Sequence, residues 1–280
     1  MTSDLSTIPK QFGPWTITDE VIYSKNDVRI LATTNDRYVL KIREKTDIAH
    51  DELGALCMIR RHRLNYAVHT PPGPDKFCGM TDTHIWYAMR RYGGTVAYDV
   101  YARDNWRRIA QDVLAFITQL HRSCHLVHMD IKVTNVLRHH VHPQFIVSDY
   151  ELCDVPNPRL TRTYGPEFRY YYLAMGAELD KPLYSWRMDL TALGYMLAEI
   201  TWNTVDNRRT TFQTAMFALR DASATATTSD EDLVALRDRE MSAAHPTVLA
   251  YMRRIDEGLT WSTEAPPPEA FYRELLSFFR

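Results

Sequence analysis

Three short runs near the N-terminus are rich in β-branched and aromatic residues: WTITDEVIY, DVRILATT and RYVLKI, between Trp15 and Ile42, with polar turns such as TTND between them. This pattern predicts strands that pair as a small antiparallel sheet. The period then changes. In TDIAHDELGALCMIRRHRL, the residues Ile48, Leu53, Leu56, Cys57 and Ile59 fall at helical spacing, with Thr46 and Asp47 as caps, so one helix follows the third strand. The proline cluster HTPPGPDKF ends it, HIWYAMRRY returns to strand, and Gly93 and Gly94 punctuate the chain. Beyond them helices dominate. NWRRIAQDVLAFITQLHRS, WRMDLTALGYMLAEITWN, NRRTTFQTAMFALRDA and PPPEAFYRELLSFFR all carry apolar residues at three- and four-residue steps. The change of character near residues 90–95 divides the chain into 1–92 and 93–280. The small polar stretch at 223–233 reads as an exposed loop leading into a helix capped near Ser229. No internal repeat is present.

Composition narrows the picture only a little. A chain of 280 residues with 45% hydrophobic and 24% charged positions buries a large core. Its 33 basic and 35 acidic residues nearly cancel, which excludes a whole-molecule attraction to nucleic acid or to an anionic membrane. The basic cluster at 60–63, RRHR, is therefore read as a solvated helix end, and no direct nucleic-acid binding is expected. The four cysteines, Cys57, Cys78, Cys124 and Cys153, form no C-x-x-C pair and fit reduced thiols. No signal sequence and no apolar run of bilayer length occur, so no membrane partner and a cytoplasmic or nuclear location are expected. Oligomeric state is not readable from the sequence.

The chemistry concentrates in LVHMDIKVTNVL, residues 126–137, and FIVSDYELC, residues 145–153. Asp130, Lys132 and Asn135 lie within one short segment, which suits a loop around a reacting phosphate. An aspartate accepts a proton from an attacking hydroxyl, a lysine neutralises charge on a transferred phosphoryl group, and an amide oxygen binds Mg²⁺. Asp149 supplies a second, anionic ligand for the same hard cation.

HMDIKVTN followed by SDYE resembles the catalytic and magnesium loops of the protein-kinase superfamily. The resemblance extends along most of the chain. RYVLKI resembles the third-strand lysine motif, which implies that Lys41 holds the α and β phosphates of ATP and that Glu52 is its ion-pair partner. YAMRRYGG resembles the strand and hinge that hold adenine, with Met89 controlling the back pocket. MDLTALGYMLAEI resembles the central helix of the large lobe, whose aspartate, here Asp189, anchors the catalytic loop. The family implies an α+β, bilobal protein-kinase-like fold, with a small antiparallel-sheet N-lobe over 1–92 and a mainly helical C-lobe over 93–280. It also implies ATP and Mg²⁺ as cofactors, and phosphoryl transfer to serine or threonine of a protein substrate. RRYGGTVAYDV, the DY after Ser148 and DLTALGYMLAEI are similar to the casein-kinase-one and vaccinia-related-kinase group, viral members included.

Several positions depart from that pattern. No glycine occurs between Gly13 and Gly54, so the turn near residues 23–28 lacks the glycines that let backbone amides approach phosphate; Ser24, Lys25 and Asn26 offer polar side chains instead. Met129 replaces the arginine before the catalytic aspartate, and Glu151 replaces the glycine of the magnesium motif. D-Y-E also resembles choline kinases and aminoglycoside phosphotransferases, whereas Lys132 fits the protein kinases. A-P-E is not recognisable; its place falls either at residues 170–172 or at Pro166 and Glu167. Arg159, Arg162 and Arg169 with the single acid Glu167 form either a solvated basic loop or a groove for acidic or already phosphorylated substrates. His128 is expected as a strut against Tyr150 and Leu56, and His139, His140 and His142 as part of a turn between two strands. A pseudokinase scaffold and a small-molecule phosphotransferase remain the alternative functions. Because Met129 removes the cationic receiver for a loop phosphate, activity is expected to survive phosphatase treatment of the purified protein; its loss on dephosphorylation would contradict the reading.

Overall fold

A computed structural model describes residues 8–97, 100–156, 185–202, 212, 214–215, 230–259 and 264–280. The β-branched runs form strands: β1 (Gln11–Phe12), β2 (Trp15–Lys25), β3 (Val28–Thr33) and β4 (Tyr38–Glu44). Helix α1 (Asp47–His62) follows, then a short α2 (Pro74–Phe77), β5 (Cys78–Met80) and β6 (His84–Arg90). The six strands form one antiparallel sheet in the order β1-β2-β3-β4-β6-β5. β5 was not expected, since three residues on a sheet edge are too short to show a period.

Side-chain alternation gives the sheet two different faces. On one, Leu40 and Ile42 stand opposite Ala88 and Trp86, and pack with Phe12, Trp15, Ile17 and Leu31. On the other, Val39 and Lys41 stand opposite Met89 and Tyr87, and the apolar members join α1 and the helical region in the main core. Gly79 pairs across the sheet with Trp86, and a Cβ there would lie 2.5 Å from the indole. Gly13 meets the same ring at 2.7 Å and takes a left-handed φ of +52°.

The expected cap of α1 is present: the Thr46 side chain accepts from Ala49 N at 3.3 Å. Its inner face differs from expectation. Ile48 is 44% exposed and Cys57 is exposed, while Ala49, Glu52, Ala55, Leu56 and Ile59 are buried. The helix is rotated so that a glutamate points inward, because a buried cation on β4 awaits it.

The remaining described chain is mainly helical. α3 (Val100–Asp104) precedes α4 (Trp106–Gln119), which runs into a π-helical turn at Leu120–Cys124. The hairpin β7 (Val136–Arg138) and β8 (Phe145–Val147) follows, with the histidines 139, 140 and 142 in its connection as expected. α5 (Trp186–Thr201) is buried on nearly every side, as an all-round apolar helix must be. α6 (Asp230–Glu240), α7 (Pro246–Gly258) and α8 (Glu269–Ser277) complete the set, with α4 and α7 packed on α5 and α8 on α4. α7 was not expected. Pro246 occupies its first turn, where no amide donor is needed, and a histidine caps it: His245 Nδ1 accepts from Thr247 N at 3.1 Å. Of the helix expected over 207–222, Phe212, Thr214 and Ala215 are described and are helical. The polar stretch before α6, with its cap at Ser229, and the basic segment carrying Arg159, Arg162, Glu167, Arg169 and residues 170–172 lie outside the described residues. Among the described residues no helix is long and apolar enough to cross a membrane. The chain is thus mixed α+β, built on an antiparallel sheet.

Gly79→Ala is expected to cost about 1–3 kcal/mol through overpacking against Trp86. Gly54→Ala, on the exposed side of α1 with no atom within 4 Å of the new Cβ, should stabilise by about 0.5–1 kcal/mol. Urea unfolding midpoints of the two variants, moving in opposite directions, check both.

Candidate active site

Lys41 leaves the inner face of β4 with its side chain only 6% exposed, where an unpaired ammonium would cost several kcal/mol. Two carboxylates meet it. Its Nζ donates to Glu52 Oε1 on α1 at 2.6 Å and to Asp149 Oδ1, in the loop after β8, at 2.7 Å. Tyr87, opposite Lys41 on β6, donates its hydroxyl to Glu52 Oε1 at 2.9 Å. Burial alone would favour a neutral lysine, but Asp149 and Glu52 outweigh it and hold the ammonium well above its ordinary range. Burial likewise pushes Asp149 upward and is outweighed by Lys41, leaving its carboxyl below the usual value; Glu52, the more deeply buried, is raised by desolvation.

The segment after α4 is shaped by a second buried carboxylate. Asp189, fully buried on α5, accepts from His128 N at 2.7 Å through Oδ2 and from Met129 N at 2.8 Å through Oδ1. The π-helical turn brings His121 inward, with Nε2 at 2.9 Å from Asp189 Oδ2 and Nδ1 at 2.7 Å from the Tyr272 hydroxyl on α8. Burial raises Asp189, but the hydrogen bond and charge of His121 outweigh this and hold it low. Met129 is left-handed, with φ of 67°, a conformation that costs a residue with a side chain about 1–2 kcal/mol and that the two Asp189 bonds offset.

That turn presents Asp130 to Lys132 and Asn135. Asp130 Oδ2 is 2.7 Å from Lys132 Nζ and accepts from Asn135 Nδ2 at 2.8 Å, while the same Nδ2 donates to Asp130 O at 3.0 Å. Asp130 is 7% exposed, and burial pushes its carboxyl up to about 6 against the opposing charge of Lys132. Ser148 N and Oγ both donate to Asn135 O, at 2.8 and 3.0 Å, which joins this loop to the one carrying Asp149. Asp149 is itself left-handed at φ of 67°. Beneath it Tyr150 donates its hydroxyl to Val147 O at 2.6 Å and accepts from Val68 N at 3.1 Å. His128 meets the Tyr150 ring edge-on at 5.5 Å, as expected of a strut, and its Nδ1 accepts from Asp130 N at 3.2 Å.

The expected residues Lys41, Glu52, Asp130, Lys132, Asn135 and Asp149 are therefore linked by short contacts. Met89 lies apart from these polar contacts, buried on β6 opposite Val39 in the main core. Three site residues were not expected from the sequence: Arg43, which pairs with Asp27 and Glu151, His121 and Tyr87. Arg43 had a signal, since it stands two places beyond Lys41 on a strand.

The donor set suits a hard cation carried with a polyphosphate. Both contacts of Asn135 Nδ2 are to oxygen acceptors, which assigns the amide and turns Oδ1 away from Asp130. The Asp149 side chain is 32% exposed, and only Oδ1 is taken by Lys41. Asn135 and Asp149 would thus hold Mg²⁺ through oxygen, the ligand type it prefers. Lys41 and Lys132 place two ammonium groups beside these oxygens, each paired with a carboxylate of the set.

No family model matches the chain, and no curated protein is significantly similar to it.

Asp189→Ala is expected to leave the amides of His128 and Met129 and the His121 ring without their acceptor, and to cost about 3–5 kcal/mol. Chemical denaturation at neutral pH measures it. A loss under about 1 kcal/mol, the size of one ordinary hydrogen bond, would mean that the loop does not depend on this carboxylate.

Proposed function

We propose that the chain transfers a phosphoryl group from Mg·ATP to serine or threonine hydroxyls of protein substrates, on a bilobal protein-kinase-like fold with an N-lobe over 1–92 and a C-lobe over 93–280. The observation that carries this reading is the convergence of Lys41, Glu52 and Asp149 from three distant segments at 2.6 and 2.7 Å, with Asp149 tied through Ser148 to the Asp130 loop. A set of isolated motif matches would not place a buried ammonium between those two carboxylates.

In this mechanism Asp130 orients the attacking hydroxyl and accepts its proton, because a carboxylate with its proton affinity raised toward neutrality is a better base than an exposed one. Lys132, 2.7 Å from Asp130, offsets charge on the phosphoryl group in transfer. Lys41 is held in place by Glu52, which the Tyr87 hydroxyl steadies in turn, and positions the phosphates. Mg²⁺, when bound by Asn135 and Asp149, supplies neutralisation of phosphate charge.

Two observations favour a protein acceptor over a small amino-alcohol. Lys132 remains beside Asp130, and the Glu151 carboxylate is engaged by Arg43 at 2.7 Å, so it does not add to an acidic pocket for a cationic substrate. The pseudokinase alternative is disfavoured because every charged group needed for transfer is present and paired with another. Preference for acidic or phosphorylated substrates would depend on the basic segment outside the described residues.

Asp130→Asn is expected to lower turnover by about 10²–10⁴-fold while Mg·ATP binding is retained; unchanged turnover, read as radiolabelled phosphate transfer to casein-like protein, would sink the assignment. Activity of the wild type should rise with pH through about 6, and Lys132→Met, which removes a charge favouring the ionised carboxylate, should move that limb to higher pH. Stability responds to pH in the opposite sense. Asp130 binds its proton more tightly folded than unfolded, where it titrates near 3.8, so its contribution is full below that value and lost as pH rises through about 6. Asp130→Asn should accordingly be more stable than wild type at about pH 8, with the gain shrinking toward about pH 5.

A further inference from the structure

Arg43 leaves the same face of β4 as Lys41, two residues further along the strand. Its Nε donates to Asp27 Oδ2 at 2.8 Å and its Nη1 to Glu151 Oε2 at 2.7 Å, with Glu52 Oε2 3.6 Å from the same Nη1. The Arg43 side chain is 10% exposed. Its three carboxylates come from three segments: the β2–β3 turn, helix α1 and the loop after β8. A guanidinium presents donors in several fixed directions and so serves all three at once, which a single ammonium on a flexible stem does not.

The contacts make a ladder. Lys41 holds Asp149 and Arg43 holds Glu151, so residues two apart on the strand meet residues two apart on the loop. Arg43 also reaches Asp27, at the tip of a two-residue turn between Lys25 and Val28, where Asn26 takes the left-handed φ of 52° that a glycine would otherwise supply. A carboxylate at that tip would repel a polyphosphate unless a cation faced it. Arg43 supplies the cation, and in doing so fastens the turn to the loop that carries Asp149.

We propose that Arg43 is a positioning residue of the active site: with Asp27 and Glu151 it forms an ionic clasp that holds the β2–β3 turn and the Asp149 loop to β4 as one unit. This rests on the phosphoryl-transfer reading for its consequence in catalysis, but the clasp exists in the protein without nucleotide. It gives Glu151 a use that a glycine at that position could not have, and it sets the metal-binding carboxylate by ion pairing within the domain.

Arg43→Met would leave three carboxylates facing one another and risks unfolding, so Arg43→Lys, Glu151→Gln and Asp27→Asn are the working variants, made in the full chain. Hydrogen exchange without nucleotide should accelerate at both 24–28 and 148–152 in Arg43→Lys and in Glu151→Gln; acceleration at only one segment, or at neither, overturns the clasp. In phosphate transfer the Mg²⁺ concentration giving half-maximal rate should rise about tenfold in Glu151→Gln and in Asp27→Asn, with the double variant no worse than the poorer single one, because both act through Arg43. Additive losses, or an unchanged Mg²⁺ requirement, would reduce Arg43 to a structural ion pair and overturn the positioning role. If the wild type fails to bind Mg·ATP, the phosphoryl-transfer reading falls, and the exchange measurement still decides whether the clasp exists.

Discussion

The charge on Lys41 is the constraint around which the site is arranged. An ammonium on the inner face of a sheet is tolerated only with paired anions, and the chain supplies them from α1 and from the loop after β8. Meeting that requirement fixes the rotation of α1, which turns Glu52 inward and leaves Ile48 exposed. It also fixes the depth of the Asp149 loop against the sheet. One buried cation therefore sets the relation of strand, helix and loop, while Leu56, Met89 and Tyr150 share the main core.

A second buried charge does the same for the Asp130 loop. Asp189 accepts two successive backbone amides, which stabilises a turn containing a left-handed methionine that local preference alone would not choose. His121 and Tyr272 complete its shell, so α4, α5 and α8 are tied to the loop by a chain of hydrogen bonds and not only by packing. The two systems meet where Ser148 donates to Asn135 O.

Legibility in the sequence followed the range of the signal. β2, β3, β4, β6 and α1 carry their β-branched composition or helical period locally and were readable, as were α4, α5 and α8. The three-residue β5 is too short to show a pattern. α7 does show apolar residues at Val248, Met252 and Ile255 with Pro246 in its first turn, but a histidine replaces the usual serine, threonine or aspartate as cap. Among site residues, those in one loop were plain from their chemistry. His121 was not, because the π-helical turn that aims it departs from the 3.6-residue period and its partner lies 68 residues on. Arg43 was hidden by its neighbour: alternation places it beside Lys41, but nothing local names Asp27 or Glu151 as its partners.

Those distant partners change the meaning of the residues that depart from the kinase-like motifs the sequence resembles. Met129 and Glu151, taken alone, read as departures from that resemblance. In the folded chain Met129 contributes its amide, not its side chain, to Asp189, so the conformation of the turn does not depend on an arginine there. Glu151 carries a largely buried charge that would be costly if it were free, and Arg43 removes that penalty. The same guanidinium neutralises Asp27, in a turn whose positive φ is supplied by Asn26. Met129, Glu151 and Asp27 are thus accommodated by two buried partners, one acidic and one basic, each reached only through the tertiary fold. Whether an unusual residue disturbs a loop is better judged by whether it has found such a partner than by its fit to a motif.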